Sequence, residues 1–244
     1  MAGVVTQDAR TAARRLPDVF PPPGPARASF RPVQCTAILR SRPRLASGLP
    51  GCLGWGMPHI ALDSGQPGIR GLLQYRPETA RPISDLADVL LRGPSSLTRG
   101  ERELIGAYVS TLNSCRYCSS SHSATAAAQL PGGMELVDQV CADPATAPVS
   151  AKLKALLALA AAVQRSGHDV TEAQVAAARE VGATDLEIHD TVLIAAMFAM
   201  FNRYVDGLAT AAPDDPAVYA AGAQRLVQYG YLPSAAPGTS TPRA

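Results

Sequence analysis

The feature that most constrains the fold is a run of ten apolar residues, Val192 to Phe201, which follows a helix-start signal. Thr184 and Glu187 have the spacing of a capping box, in which two side chains satisfy the first free backbone N–H groups of a helix. A helix that is apolar all round is buried in a core or at a subunit interface. Ten residues are too few to span a bilayer, which takes about 20. The run therefore predicts a buried helix.

The sequence between Met57 and Leu232 shows helical patterns separated by proline and glycine. Hydrophobic residues make up 47% of the chain and aromatic residues only 5%, which favours closely packed helices over a β-sandwich. No strand pattern or internal repeat is present, so we predict an all-α fold. The predicted helices are 68–75, 84–91 after Pro82, 98–112 from a capping box at Thr98, 115–129 with Ser114 as N-cap, 134–142, 150–165 capped by Ser150, two that begin at capping boxes at Thr171 and Thr184, and 216–229.

The two ends of the chain differ in composition from its middle. Residues 1–56 hold eight arginines against two aspartates, and eight prolines. We therefore predict a disordered Pro/Arg-rich leader, an upstream extension before a functional start at Met57. Residues 233–244 are a predicted disordered tail, which leaves 57–232 as one all-α domain. The leader lacks a secretory signal, and its charge gives only weak support for nucleic-acid binding, so we expect neither a nucleic-acid nor a membrane partner.

Five cysteines are present, and only Cys115 and Cys118 are close in sequence. Without a secretory signal, a disulfide framework is not expected and a reducing cytoplasm is the default location. Cys35 and Cys52 fall in the predicted leader, and Cys141 is typical of a thiol in a helix core. We expect no chemistry from these three residues.

Cys115, Cys118 and His122 form a C-x-x-C-x-x-x-H cluster at a predicted helix start. At about 100° per residue all three side chains share one helix face. The helix start favours a thiolate, and His122 can take or relay its proton. A thiolate that attacks a peroxide becomes a sulfenic acid, which the neighbouring cysteine converts to a disulfide. We assign Cys118 as the attacking thiol because it lies nearest His122, with the reverse order left open, and Glu103 as the terminal proton acceptor.

The same cluster also suits a zinc site. In that interpretation Cys115, Cys118 and His122 are three ligands, and Cys141, His189 or Glu103 completes a tetrahedron. No second C-x-x-C or H-x-x-x-H occurs in the sequence, so we expect redox chemistry with no bound metal or cofactor. His189 is interpreted as a core histidine and Tyr117 as a packing aromatic, while His59 and His168 have no evident partner.

Several segments resemble a known superfamily. The run Leu97–Ile105, together with Asn113–Cys118 and His122, resembles the core motif of the AhpD-like alkylhydroperoxidase and carboxymuconolactone decarboxylase superfamily. The stretch from Pro67 through Thr79, together with Phe201–Arg203, resembles more narrowly its peroxidase-related branch.

The resemblance implies an AhpD-like helical bundle that forms homo-oligomers. It implies that Cys115 and Cys118 are the redox-active centre, that Glu103 and His122 relay the proton, and that a lipoyl or thioredoxin-like dithiol partner re-reduces the pair. AhpD carries a histidine just before its second cysteine, where this chain has Tyr117.

The predicted function is therefore a thiol-dependent peroxidase, an antioxidant oxidoreductase that acts on alkyl hydroperoxides or hydrogen peroxide. One alternative is a decarboxylase or lactone-type enzyme on the same scaffold, although such an enzyme has no need of two cysteines. The other is a zinc-binding or redox-sensing protein that uses the same cluster.

Overall fold

A computed structural model of the chain describes residues 57–232, and every regular element in that range is a helix. A single 3₁₀ turn, Gly167–Asp169, precedes α7. The α-helices are α1 (Gly68–Tyr75), α2 (Pro77–Arg92), α3 (Arg99–Leu112), α4 (Arg116–Ala127), α5 (Gly133–Ala142), α6 (Ala151–Arg165), α7 (Glu172–Glu180), α8 (Asp185–Gly207) and α9 (Pro216–Tyr229). The all-α prediction is confirmed for this range. The predicted leader and tail, with Cys35 and Cys52, lie outside the described residues.

Side-chain caps fix the starts of the helices that the sequence marked most clearly. The capping boxes at Thr98, Thr171 and Thr184 are all present, with each threonine accepting from the backbone N–H three residues later. Ser150 likewise accepts from the backbone N–H of Leu153 at the start of α6. These four predicted capping signals are therefore confirmed.

Helix α2 is longer than predicted. It begins at Pro77, five residues before the proline that was expected to precede it, and Pro82 lies inside the helix. Proline suits the first helical position, and the interior Pro82 removes a single backbone hydrogen bond. The buried side chains of Leu90 and Leu91 hold α2 against the core, because tertiary packing contributes more to helix stability than local propensity does.

Helix α8 runs through the centre of the bundle and packs against α3 and α6. Ile194 and Phe198 are fully buried within the predicted apolar run, so the predicted burial is confirmed for the side that faces the core. Ala196 and Met200 face outward, and Met200 is 48% exposed. Of the helices in residues 57–232, none is long and apolar enough to cross a membrane.

Candidate functional site

The turn between α3 and α4 sets the position of Cys115. The Ser114 N–H donates to the Thr111 carbonyl at 2.9 Å, and the Cys115 N–H donates to the Ser110 carbonyl at 3.0 Å, which together form a Schellman motif. Ser114 adopts the left-handed conformation that this motif requires, with φ 58°. Because Ser114 completes the end of α3, Cys115 is the N-cap of α4. The prediction of Ser114 as N-cap and Cys115 within the helix is wrong by one residue.

Cys118 is the third residue of α4, and His122 lies one turn further along. Free N–H groups and the positive end of the helix dipole stabilise negative charge at a helix start. No acidic side chain lies in the first turn to oppose this effect. Cys115 is 0% exposed and Cys118 is 3% exposed, so the thiols lie beneath the surface.

The thiols of Cys115 and Cys118 are hydrogen-bonded to each other, with opposite effects on their pKa values. The hydrogen bond with Cys118, followed by burial, raises the pKa of Cys115. The same bond lowers the pKa of Cys118 against the effect of burial, and His122 and Asn202 lower it further. Cys115 therefore keeps its proton and donates, while Cys118 ionises first. This is the order that an attacking Cys118 requires.

Cys141 lies apart from this pair, on α5. It is a free thiol, as are Cys115 and Cys118. Its sulfur accepts a hydrogen bond from Thr111 Oγ1 at 3.7 Å, and burial raises the pKa of Cys141. Its surroundings favour an inert, protonated thiol.

Glu103 and His122 form a hydrogen-bonded pair beside the thiols. His122 Nδ1 lies 2.7 Å from Glu103 Oε2, because α3 and α4 pack along one another. Glu103 is 2% exposed. A carboxylate at one ring nitrogen orients an imidazole and leaves the other nitrogen to exchange a proton. The structure thus brings together all four residues that the sequence singled out.

The ring of His122 is also held by packing. Phe198 of α8 contacts it edge to face, with ring centroids 4.5 Å apart. Gly106 on α3 makes this approach possible, since a Cβ there would lie 2.4 Å from the ring of Phe198. His122 therefore has a fixed orientation between Phe198 and Glu103.

Tyr231 joins this group, although no sequence pattern predicted it. Its hydroxyl donates to Glu103 Oε1 at 2.5 Å. Its ring is stacked on His122, with centroids 6.3 Å apart and an interplanar angle of 12°. Both oxygens of Glu103 are therefore hydrogen-bonded. Tyr231 belongs to no helix, so no periodic pattern signals its position.

A chain of side-chain hydrogen bonds orients Asn202, a second site residue that was not predicted from the sequence. Gln164 Nε2 donates to Asn113 Oδ1 at 2.8 Å, and Asn113 Nδ2 donates to Asn202 Oδ1 at 2.8 Å. Asn202 Nδ2 donates to Ser110 Oγ at 3.0 Å, and the Asn202 amide contributes to the lowered pKa of Cys118. The sequence held one signal for Asn202, its position directly after the apolar run. A polar side chain next to a buried segment needs hydrogen-bond partners.

An opening of about 400 Å³ lies at the end of α8, next to the turn between α3 and α4. Two of its lining residues act on the pKa values of the cysteines: Asp206 raises that of Cys115, and Asn202 lowers that of Cys118. The lining residues are Asn113, Asn202, Arg203, Asp206 and Gly207.

Comparison with known proteins gives a family for this geometry. The profile of the carboxymuconolactone decarboxylase family matches residues 77–130 and 131–213, which is more than half of the chain. The chain belongs to the carboxymuconolactone decarboxylase family. No curated protein sequence matches it significantly.

Two solved structures are similar to this member of the carboxymuconolactone decarboxylase family. One is an uncharacterized peroxidase-related protein from Ralstonia eutropha JMP134, described as an alkylhydroperoxidase AhpD core. It has 29% identity and a TM-score of 0.56, over 69% of this chain and 83% of that one. The other is an uncharacterized peroxidase-related protein from Silicibacter sp. TM1040, with 28% identity and a TM-score of 0.55, over 59% of this chain and 75% of that one. The resemblance to the AhpD-like superfamily and its peroxidase-related branch is confirmed.

Tyr117, where this family member departs from AhpD, is a packing residue. It is 8% exposed, and burial raises the pKa of Tyr117 to about 12. Its ring lies over Gly68, where a Cβ would be 2.1 Å from the ring and φ is +57°. The ring of Tyr219 lies on another side, at 6.0 Å between centroids.

The other histidines lie away from the site. The interpretation of His189 as a core histidine is wrong, because its side chain is 66% exposed and pairs with Asp190 at 3.0 Å. His189 lies near the start of α8 on its outward side, and the apolar run begins only after it. His59 and His168 are exposed.

The zinc alternative gains no support in the carboxymuconolactone decarboxylase fold of this chain. Within residues 57–232, no group of three or more His, Cys, Asp or Glu side chains could hold a metal ion. His189 is remote, Cys141 bonds to Thr111, and both oxygens of Glu103 are engaged by His122 and Tyr231.

Proposed function

We propose that this member of the carboxymuconolactone decarboxylase family is a thiol-dependent peroxidase. It reduces alkyl hydroperoxides or hydrogen peroxide through a Cys115/Cys118 dithiol–disulfide cycle. The observation that carries this proposal is the pair of buried thiols at the start of α4, on the same helix as His122, whose partner is Glu103 of α3. The pKa is lowered for Cys118 and raised for Cys115. The peroxidase-related names of the two similar structures also support it.

The first step oxidises Cys118. Its thiol proton passes to the free ring nitrogen of His122, and the thiolate attacks the outer oxygen of the peroxide. The O–O bond breaks, and the sulfur keeps that oxygen as a sulfenic acid. The leaving alkoxide, or hydroxide when the substrate is hydrogen peroxide, takes the proton from His122. One thiol and one hydroperoxide thus give one sulfenic acid and one alcohol or water.

The second step forms the disulfide. The sulfur of Cys115 attacks the sulfenic sulfur of Cys118, and the hydroxyl leaves as water with the proton from Cys115. An external dithiol, lipoyl or thioredoxin-like, then restores both thiols by exchange and is itself oxidised to a disulfide. No cofactor is needed within the chain. This cycle suits a reducing, cytoplasmic environment, which supplies such dithiols.

Glu103 serves the proton transfer through His122. We expect Glu103→Gln to lower the rate of thiol oxidation at pH 7 by about 10²-fold or more, because a neutral amide cannot stabilise the imidazolium that forms when His122 takes the thiol proton. The measurement is the rate of thiol loss after mixing with cumene hydroperoxide. Glu180→Gln, an exposed change on α7, is the matched control. A Glu103→Gln rate within about threefold of the wild-type rate would remove Glu103 from the proposal.

A decarboxylase or lactone-type activity is the second candidate, and the family match favours it as an alternative. That chemistry has no need of a dithiol, so its substrate turnover would survive replacement of both Cys115 and Cys118 by serine. A peroxidase loses its activity in the same variant. Parallel assays of hydroperoxide consumption and carboxymuconolactone decarboxylation, each with wild type and the double variant, test the proposal against this alternative. A redox sensor would instead oxidise once per protein and show no turnover with dihydrolipoamide.

We also propose that the chain forms homo-oligomers through the outward side of α8. Ala196 and Met200 lie on this outward side, and Met200 is 48% exposed. An apolar face of this kind is typical of an interface. We expect wild type to elute well above its monomer mass of 25.4 kDa in light-scattering chromatography, and Met200→Lys to approach that mass. The control is Met134→Lys, which changes a methionine with 43% exposure on α5. A monomeric wild type would contradict the expectation.

A further inference from the structure

The chain reverses direction directly after α9 and returns to the site. Gly230 ends the helix with a left-handed φ of +79°. A Cβ at Gly230 would lie 2.6 Å from Asp88 Oδ1 and 2.8 Å from Arg92 Nε. Both the backbone conformation and the space therefore require glycine, and the reversal directs Tyr231 toward α3.

Two side chains of α2 stabilise this reversal by hydrogen bonds. Arg92 Nη1 donates to the carbonyls of Leu226 and Val227 at 2.7 and 3.2 Å, which satisfies the last carbonyls of α9. Asp88 Oδ1 accepts the backbone N–H of Tyr231 at 3.1 Å. Asp88 and Arg92 are also paired with each other at 3.4 Å. The backbone of Tyr231 is thus anchored independently of its side chain.

The side chain of Tyr231 lies against both residues of the proton relay, Glu103 and His122. The hydroxyl donates to Glu103 and the ring stacks on His122. Burial, with the charge of Glu103 as a second cause, raises the pKa of Tyr231 well above its ordinary value. The hydroxyl therefore keeps its proton and acts as a donor to the carboxylate.

We propose that Tyr231 is a positioning residue of the thiol site, which holds the Glu103 carboxylate and the His122 ring in the arrangement that proton transfer needs. Tyr231 touches neither cysteine, so its effect passes through the other two residues. The inference deepens the proposed peroxidase function and rests on it, because the relay matters only if the thiols react.

Removal of the hydroxyl has a specific consequence for pH dependence. A hydrogen bond to the ionised form of a carboxyl group favours that form. Without the bond from Tyr231, Glu103 Oε1 loses its donor, and the relay accepts the thiol proton less readily at acid pH than at neutral pH. A purely structural role for Tyr231 would lower activity equally at all pH values.

The test compares Tyr231→Phe with Tyr229→Phe, which removes a hydroxyl from a tyrosine that is 62% exposed. In Tyr231→Phe we expect the acid limb of the rate of thiol oxidation to move to higher pH by about half a unit or more. At pH 6 the rate falls by about threefold. The ring-nitrogen NMR resonances of His122 move as well. In Tyr229→Phe the acid limb, the rate at pH 6 and the His122 resonances stay at their wild-type values.

A second variant, Gly230→Ala, displaces Tyr231 without changing its chemistry, and we expect the same shifts as in Tyr231→Phe. The NMR readout needs no peroxide. If wild type fails to oxidise with hydroperoxide, the proposed function falls, and moved His122 resonances still support the positioning role. Resonances of His122 that match wild type in both variants overturn that role. So does a rate that falls equally at every pH.

Discussion

Cys118→Ser is expected to lower the rate of hydroperoxide reduction by at least about 10³-fold, as loss of a nucleophile does in other enzymes. Cys118 is the thiol whose pKa is lowered, chiefly by the hydrogen bond from Cys115, and a serine hydroxyl does not ionise near neutral pH. The measurement is hydroperoxide consumption at steady state with dihydrolipoamide as the reductant. The sulfenic acid that dimedone traps should be absent from this variant.

Cys115→Ser is expected to fail at a different step. Its Cys118 can still attack, so one equivalent of peroxide is consumed and a dimedone-reactive sulfenic acid accumulates, but no disulfide forms and turnover stops. The attack is also slower, because the hydrogen bond that favours the Cys118 thiolate is weakened. Cys141→Ser, at a free thiol outside the pair, is the control and should turn over normally. Full turnover in both the Cys115 and the Cys118 variants would refute the cycle.

Glu187→Gln is expected to lower the free energy of unfolding by about 3 kcal/mol at pH 7. Glu187 is 1% exposed, and its carboxylate accepts from Lys152 Nζ at 2.6 Å, Ser96 Oγ at 2.9 Å and the Thr184 N–H at 2.7 Å. Burial by itself raises the pKa of Glu187, but these bonds outweigh it and hold the pKa at about 2. The Glu187 carboxylate therefore connects the start of α8 to α6 and to the loop before α3 by hydrogen bonds.

The sign of the pH dependence follows from that depressed pKa. The contribution of Glu187 is complete above its unfolded pKa of about 4.3 and is lost as the pH falls toward about 2. The difference between wild type and Glu187→Gln in urea unfolding should therefore be largest near pH 7 and narrow below about pH 4. The control is Glu101→Gln in the solvent-facing capping box of α3, which should cost about 1 kcal/mol or less. Equal losses in the two variants would contradict the account.

Local signals explain why much of the fold could be predicted from the sequence. Capping boxes act within four residues, so Thr98, Thr171 and Thr184 marked true helix starts. The predicted helix starts were wrong where a tertiary contact or a second local motif outweighed the local signal. Pro82 lies inside α2 because packing outweighs one lost hydrogen bond, and Ser114 completes the Schellman motif of α3 rather than capping α4.

The candidate site was predictable where its residues lie on helices that are consecutive in the sequence and pack against each other. Glu103 and His122 meet because α3 leads directly into α4. Tyr231 is 128 residues from Glu103, and Asn202 is 89 residues from Asn113. Contacts over such separations depend on the packing of the whole bundle, and no periodicity or spacing in the sequence encodes them.

The most direct test of the central claim is a count of thiols after a single turnover. Reduced protein is mixed with one equivalent of hydroperoxide, free thiols are titrated, and the peptides are mapped by mass spectrometry. We expect two thiols to be lost for each hydroperoxide consumed, with one disulfide that joins Cys115 to Cys118. No loss of thiols, or a disulfide that excludes either residue, would contradict it.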